Sequence, residues 1–246
     1  MADVSWGLLA AIIRASDYII NLTTPEKVGP HLVLSIFPGI DLLGRAFEEE
    51  GFSVVRGPDL LWGGDIHNFH PPAGKFDGVI GGPPCKGESR LAHLNGTPGE
   101  TLWEEALRVI GEAQPQWWVL EAVIKHNAPY VLKLNNRWLG EKQRRVRYFH
   151  SNLDLSPCVG LVAIEHPDYK RAVLAWHGDK VGSTVRGMTT YSWQEMCELQ
   201  GLPEDFDLPL FTRVGKREVL GNAVPLSMGR AIAKAVRCAL AKGQGY

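Results

Sequence analysis

Short apolar runs alternate with helical spacings along the chain from residue 31 onward. Four apolar runs are typical of buried strands, because each ends at glycine, proline or a charged residue. These runs cover residues 31–37, 52–55, 76–80 and 117–120. Helical spacing covers residues 42–50 and 101–113. The alternation predicts an α/β fold with a mostly parallel sheet, in which ligands bind at the carboxyl ends of the strands.

Three helix-boundary signals refine this prediction. Thr101-Leu-Trp-Glu104 and Ser192-Trp-Gln-Glu195 are capping-box sequences, so a helix is expected to begin at each. Apolar spacing after Pro225 predicts a final helix that ends near Gly243.

The alternation is lost in two places, and this divides the chain into regions. Mixed amphipathic residues precede the first predicted strand, and looser β-like runs replace the alternation in the third quarter of the chain. We therefore predict an N-terminal extension, one main domain made of two segments, and a small insertion between them. Their ranges are 1–30, then 31–147 with 186–246, and 148–185.

Charge and cysteine content narrow the class of protein. The 246 residues carry 26 basic and 27 acidic side chains, so nucleic-acid binding requires a local basic patch. The four cysteines form no C-x-x-C pair, which argues against a zinc site and a disulfide framework and favours a cytoplasmic protein. Arg14 and Asp17 interrupt the apolar stretch 8–20, so neither a signal peptide nor a membrane span is expected.

Two residues at predicted strand ends are candidates for chemistry. Cys85 follows Gly81-Gly-Pro-Pro84, where the prolines restrict the backbone and Lys86 favours a thiolate. A lone cysteine is by default a small buried residue, and a glutamate at a strand end is by default solvated. Glu121, which follows the run 117–120, nevertheless lies at the same predicted edge of the sheet. The pair is therefore interpreted as a nucleophile with a neighbouring acid.

A basic cluster covers residues 133–147, with six basic side chains and a single acidic one. Within it, Gln143, Arg145 and Arg147 alternate with other residues and are expected to share one face of a strand. Such a face suits phosphate groups and base edges, although solvated charge runs are common.

The order of short motifs along residues 32–237 resembles the cytosine-C5 DNA methyltransferases. Eight motifs occur in the order that this family has. They are Phe37-Pro-Gly39, Asp59, Gly64-Asp-Ile66, Pro84-Cys85, Glu121-Ala-Val123, Gln143-Arg-Arg-Val-Arg147, Glu195 to Pro203, and Gly221-Asn-Ala-Val-Pro225. The resemblance implies an S-adenosylmethionine-dependent methyltransferase with a Rossmann-like fold and a very small target-recognition region.

The resemblance also implies a reaction. Cys85 would add to C6 of a cytosine flipped out of double-stranded DNA, while Glu121 hydrogen-bonds the base edge and C5 takes the methyl group. Arg147 would hold O2 of the base, and Arg145 would support the same pocket.

Further residues receive expected roles in binding. The implied cofactor residues are Phe37, Gly39, Asp59, Asp65, Ile66, Pro83, Asn222 and Val224. The expected phosphate contacts are Lys133, Arg137, Lys142 and Arg144. We expect a monomer that binds double-stranded DNA and holds no metal.

The sequence departs from the family at several positions. Asp41 and Leu42 replace a glycine pair, so the carboxylate either caps the next helix or lies near the charged end of the cofactor. Lys86 replaces a glutamine, which raises a carboxylated S-adenosylmethionine as a minor alternative cofactor. Ala122 replaces a structural asparagine, which puts the geometry of that loop in question. The short insertion predicts a short or relaxed recognition sequence.

Two alternatives remain open. A catalytically silent relative would bind cofactor or DNA and regulate a partner. An RNA cytosine-C5 methyltransferase would use the same residues.

Overall fold

The computed structural model describes residues 31–84, 102–162, 169–175 and 191–243. Within these ranges the strands form a central sheet and a small two-stranded sheet. The strands are β1 (Leu32–Ile36), β2 (Ser53–Arg56), β3 (Gly78–Gly81), β4 (Trp117–Ala122), β5 (Tyr130–Asn135), β6 (Gln143–Arg144), β7 (Val146–Ser151) and β8 (Lys170–Arg171). The α-helices are α1 (Leu42–Glu49), α2 (Trp103–Ala113), α3 (Trp193–Leu199), α4 (Arg213–Asn222) and α5 (Leu226–Ala241).

The central sheet has the strand order β2-β1-β3-β4-β7-β5. The first four strands are mutually parallel, and β7 runs antiparallel to both of its neighbours. Strands β1, β3 and β4 read as nearly continuous apolar runs because both faces of the sheet are covered. This mostly parallel sheet is the predicted fold class.

Two apolar layers enclose the sheet. One core cluster joins α1 and α5 to the sheet through Phe47, Trp117 and Ile232. A second cluster includes the apolar face of α2, with Trp103 among its members. Gly78 is required under the first layer, because a Cβ at that position would lie 2.2 Å from the Trp117 ring. Trp117 and Leu120 of β4 belong to different clusters, so β4 contributes side chains to both layers.

The helix-boundary predictions meet different outcomes. The Ser192 capping box is confirmed: the Ser192 hydroxyl accepts from the Glu195 amide, and the Glu195 carboxylate accepts from the Ser192 amide. The final helix after Pro225 is also confirmed. Helix α2, in contrast, has Leu102 at its N-cap with no side-chain capping bond, and Thr101 lies outside the described residues.

One prediction about the basic segment is wrong. Residues 143–147 do not form one strand, because the chain leaves β6 at Arg145 and enters β7 at Val146. The predicted domain boundary after residue 147 falls inside β7, whose six residues all belong to the central sheet. Short strand β6 pairs with β8 instead, which brings residues 170–171 beside the basic segment. The predicted extension 1–30 lies outside the described residues.

A disulfide bond corrects the expectation from cysteine spacing. Cys158 and Cys238 are bonded, which joins the turn after β7 to α5 across 80 residues of chain. Spacing could not reveal this pair, because the two residues come together only in the folded protein.

Burial raises the pKa of the Cys197 thiol to about 11, so this cysteine remains protonated at neutral pH. Among the described residues, no helix is long and apolar enough to cross a membrane.

Reduction of the Cys158–Cys238 bond is expected to destabilise the protein. A cross-link that closes a loop of this length restricts the unfolded chain, and its loss costs about 4 kcal/mol in the chain-entropy description. Urea unfolding with and without dithiothreitol measures the difference. The Cys158→Ser/Cys238→Ser double variant is the control, because dithiothreitol should leave its midpoint unchanged. Equal midpoints for the oxidised and reduced wild-type protein would contradict the prediction.

Candidate active site at the carboxyl edge of the sheet

The turns after β1 and β2 are tied together at the carboxyl edge of the sheet. The Phe37 amide donates to the Pro58 carbonyl at 3.2 Å. The Asp59 carboxylate accepts from the Gly39 amide at 2.7 Å and from the Leu61 amide at 2.8 Å. Asp59 thus fixes the Phe-x-Gly turn, a contact that is additional to the role expected from the sequence.

The geometry of this edge fits a nucleoside-containing cofactor. Gly39 has a φ of +56°, and a Cβ there would meet nothing within 4 Å, so the backbone borders open space. The Trp62 indole donates to the Gly39 carbonyl at 2.7 Å. Asp65 is exposed, and its carboxylate accepts from the His67 amide at 3.0 Å. Carboxylates beside an accessible glycine are the groups that bind ribose hydroxyls and base amino groups in Rossmann-like folds.

Arg108 on α2 holds the Gly-Asp-Ile turn in place. Its guanidinium donates to the Ile66 carbonyl at 2.7 Å and to the Phe69 carbonyl at 3.2 Å. Two carboxylates on the same helix, Glu105 and Glu112, each lie 2.8 Å from it. The turn that contains Asp65 is therefore anchored to α2.

Asp41 caps α1, which is the first of the two roles expected for this residue. Its carboxylate accepts from the Gly44 amide at 3.1 Å and from the Ser35 hydroxyl at 2.9 Å. The other oxygen lies 2.8 Å from Arg56 Nε, with a geometry that favours charge attraction over a hydrogen bond. Burial is the largest influence on this carboxyl group and raises its pKa, against the opposing effect of Ser35 and Arg56.

Glu121 and Arg147 come together across β4 and β7. Glu121 is 7% exposed, and its Oε1 lies 2.5 Å from Arg147 Nε, again a close ion pair without ideal hydrogen-bond geometry. Gly82 lies beside the same carboxylate, because a Cβ at Gly82 would be 3.2 Å from Glu121 Oε2. The loop that leads to Cys85 therefore starts next to this pair. Cys85 itself lies outside the described residues, as does Lys86.

Arg145 makes contacts different from those of Arg147, because the chain changes strand at Arg145. That Arg145 supports the same pocket as Arg147 stays a prediction. The Arg145 side chain is 1% exposed and donates to three backbone carbonyls, those of Val173, Gly221 and Ala223, at 2.6, 2.8 and 3.1 Å. Arg145 thus joins the residues before α5 to the segment after β8.

Two buried glutamines extend the contacts of Arg145. Gln143 accepts from the Val173 amide at 3.2 Å and donates to the Leu199 carbonyl. Gln200 donates to the Leu220 carbonyl at 2.6 Å. We call Gln143, Arg145 and Gln200 the polar hub. The sequence analysis placed Gln143 on a face suited to phosphate groups and base edges and gave Gln200 no role. Only the fold brings the two glutamines together.

The remaining predicted cofactor residues lie in different environments. Pro83 is buried directly after Gly82, and Asn222 is exposed at the end of α4. Val224 is 7% exposed and belongs to the core cluster on the α5 side of the sheet. Gly221, which precedes Asn222, has no room for a side chain, because its Cβ would lie 2.3 Å from the Ala175 amide nitrogen.

The four predicted phosphate contacts lie in different parts of the segment from β5 to β6. Lys133 lies on the edge strand β5, with its amino group 5.9 Å from the centre of the Tyr148 ring. Arg137 lies over Tyr169 at 5.1 Å. The two residues nearest the small sheet differ, because Lys142 pairs with Glu198 at 3.0 Å whereas Arg144 is exposed on β6.

Comparison with known proteins identifies the class of fold. No family model matches the chain. The type II methyltransferase M.NgoPII of Neisseria gonorrhoeae is 26% identical over 121 residues, or 41% of this chain and 36% of that protein. The type II methyltransferase M.FnuDI of Fusobacterium nucleatum is 29% identical over 109 residues, which cover 37% of this chain and 32% of that protein. The chain thus spans about a third of the length of the curated relatives it matches.

Solved structures resemble the chain over most of its length. A protein described as a DNA modification methyltransferase encoded within a prophage (E. coli) has a TM-score of 0.59 and 17% identity, covering 85% of this chain and 99% of that one. The Entamoeba histolytica methyltransferase EhMeth has a TM-score of 0.57 and 10% identity, covering 87% and 98%. S. pombe Dnmt2 methyltransferase has a TM-score of 0.54 and 13% identity, and the match covers 86% of this chain and 98% of that one.

The fold of this protein is therefore the Rossmann-like fold of the S-adenosylmethionine-dependent methyltransferases, as predicted. The resemblance to DNA methyltransferases that the order of motifs indicated is confirmed to this extent: the curated relatives are type II methyltransferases, and the solved structures include a DNA modification methyltransferase and Dnmt2.

Arg145→Lys is expected to destabilise the protein by about 2–4 kcal/mol, because a lysine cannot replace a guanidinium bound to three buried carbonyls. Arg144→Lys is the matched control, since the neighbouring side chain is exposed and its change should stay within about 0.5 kcal/mol. Urea unfolding of both variants makes the comparison. Equal midpoints would show that the polar hub contributes little to stability.

Proposed function

We propose that this protein transfers a methyl group from S-adenosylmethionine to C5 of cytosine in DNA. The observation that carries the proposal is the ion pair of the buried Glu121 with Arg147, 2.5 Å apart at the carboxyl edge of the sheet. Gly82 borders this pair and precedes Cys85 by three residues. An acid, a cation and a nearby thiol are the groups that activation of a cytosine ring requires.

The proposed reaction begins with the Cys85 thiolate. C5 of cytosine is a poor nucleophile, so the thiolate first adds to C6 and forms a carbon–sulfur bond. Glu121 hydrogen-bonds the N3 and amino edge of the base and stabilises the electron density that moves into the ring. C5 would then take the methyl group of S-adenosylmethionine, which would leave as S-adenosylhomocysteine. Loss of the C5 proton to solvent and expulsion of the Cys85 thiolate from C6 would restore the aromatic ring.

Arg147 is proposed to hold O2 of the same base. Its guanidinium lies against Glu121, so the two side chains are close enough to bind adjacent edges of one ring. C6 of cytosine is inaccessible within a stacked duplex, so the base must leave the helix before Cys85 can reach it. Arg145, the buried arginine of this motif, contacts backbone carbonyls instead.

The proposed cofactor site is the open edge above Gly39. Phe37, Asp59, Asp65 and Ile66 would hold S-adenosylmethionine from one side of this edge, and Pro83, Asn222 and Val224 are proposed to complete the site. When bound there, the sulfonium supplies the electrophilic methyl group. Asp59 keeps its contacts to the Gly39 and Leu61 amides and has remaining lone pairs for hydroxyl groups.

Trapping with 5-fluorocytosine tests the proposed reaction. DNA that contains 5-fluorocytosine, incubated with S-adenosylmethionine, should form a denaturant-stable adduct because C5 has no proton to lose. Cys85→Ala should form none. Glu121→Gln should slow adduct formation by about 100-fold or more, as expected for loss of an acid at the base. Glu204→Gln is the matched control, since this exposed carboxylate lies outside the site.

Three outcomes would overturn parts of the proposal. An adduct that persists in Cys85→Ala would exclude the proposed nucleophile. Transfer of methyl groups to RNA but not to duplex DNA would favour an RNA methyltransferase. Cofactor or DNA binding without transfer to any cytosine substrate would favour a silent regulatory relative.

DNA affinity is proposed to depend on the basic cluster, and the structure distinguishes two of its members. Arg144→Ala should reduce the slope of log affinity against log salt concentration by about 0.9 on every sequence, as for one phosphate contact. Lys142→Ala should change the slope less, because Glu198 already compensates the Lys142 charge.

Fluorescence anisotropy with labelled duplexes at several salt concentrations measures these slopes. Lys234→Ala is the control, because this lysine pairs with Glu50 on the α1 and α5 layer. Unchanged slopes for both Arg144→Ala and Lys142→Ala would mean that another surface binds DNA.

A further inference from the structure

Three rings pack together where β4 ends and the next loop begins. The imidazole of His126 stacks on the Trp103 indole, with ring centres 3.9 Å apart and planes inclined by 8°. The ring of His150 meets both of them edge-on, at 4.8 Å from Trp103 and 5.5 Å from His126. The family motifs quoted above include none of these residues.

His150 connects the end of β4 to the loop through both of its ring nitrogens. Nε2 accepts a hydrogen bond from the His126 backbone amide at 2.9 Å. Nδ1 lies 3.2 Å from the Leu120 carbonyl, which can only accept, so Nδ1 is the protonated nitrogen. The ring is fully buried, and burial lowers the pKa of His150 to about 4. The neutral ring that makes both contacts is thus the form present at pH 7.

This link spans the segment that contains Glu121. Leu120 precedes Glu121 directly, and His126 lies in the loop that follows Ala122. Ala122 stands where the cytosine-C5 family has a structural asparagine, so its side chain cannot bind the loop. In this structure a hydrogen bond from the loop to His150 is present a few residues further on.

We propose that His150 is a positioning residue for Glu121: it holds the loop after β4 and so keeps the Glu121 carboxylate directed at the base, a role that rests on the proposed function. Adjacent residues of a strand point to opposite faces. His150 pairs with Leu120 in the register and packs against Trp103 on the α2 face, whereas Glu121 meets Arg147. His150 therefore acts through the backbone of β4 and does not touch the substrate.

Two amide substitutions separate the contacts of the ring. His150→Gln carries its carbonyl oxygen near the position of Nε2 and can still accept from the His126 amide. His150→Asn is shorter and can replace only the contact of Nδ1 with Leu120. Both variants lose the aromatic ring, so each serves as the packing control for the other.

The rate of 5-fluorocytosine adduct formation is the functional readout. His150→Asn should be slower than His150→Gln by about 10-fold or more, because a small displacement of a catalytic group has an effect of this size. Duplex DNA affinity should be equal in the two variants. Equal adduct rates for Asn and Gln, at equal unfolding midpoints, would overturn the proposal.

Hydrogen exchange at the His126 amide tests the link independently of activity. This amide should be protected in the wild-type protein and in His150→Gln, and should exchange faster in His150→Asn. Equal protection in both variants would overturn the proposal. If wild-type protein forms no adduct on any cytosine substrate, the proposed function fails, while the exchange pattern still reports whether His150 holds the loop.

Discussion

The buried guanidinium of Arg145 is the contact on which the C-terminal half of the structure depends. It binds the carbonyls of Val173, Gly221 and Ala223. It thereby joins its own segment to residue 173 and to residues 221–223, which are distant from it in sequence. A charged group in this position is stable only because backbone acceptors replace water around it. The close approach also explains why residue 221 must be glycine, since a side chain there would collide with the backbone at residue 175.

The sequence allowed the alternation of strands and helices from β1 to β4 to be predicted, because buried parallel strands leave apolar runs between glycine and proline turns. It did not allow the position of Arg145 to be predicted. Strand periodicity assumes that one strand continues through residues 143–147, whereas the hydrogen bonds of Gln143 and Arg145 to distant backbone draw the chain out of the sheet. The Cys158–Cys238 bond was missed for the same reason: tertiary packing brings the two residues together.

The candidate site residues also include some that the sequence predicts and some that it does not. Glu121 could be located from the sequence, because a carboxylate that ends an apolar run is conspicuous and the motif order supports it. The contribution of His150 could not be predicted, because the sequence does not show which backbone groups the two nitrogens of a histidine within a strand contact. Strand β4 thus presents Glu121 on one face and is held in place from the other.

The turn after β1 shows how a departure from the family pattern can be accommodated. Asp41 has a φ of +55°, a conformation that glycine adopts without strain and that aspartate tolerates better than most residues. Its buried carboxylate also requires partners, and the structure supplies Ser35, Arg56 and the first turn of α1. The replacement of glycine therefore involves at least two further side chains. Since Ser35 lies on β1 and Arg56 ends β2, the same contacts brace the turn that contains Phe37 and Gly39, so the substitution supports the proposed cofactor edge.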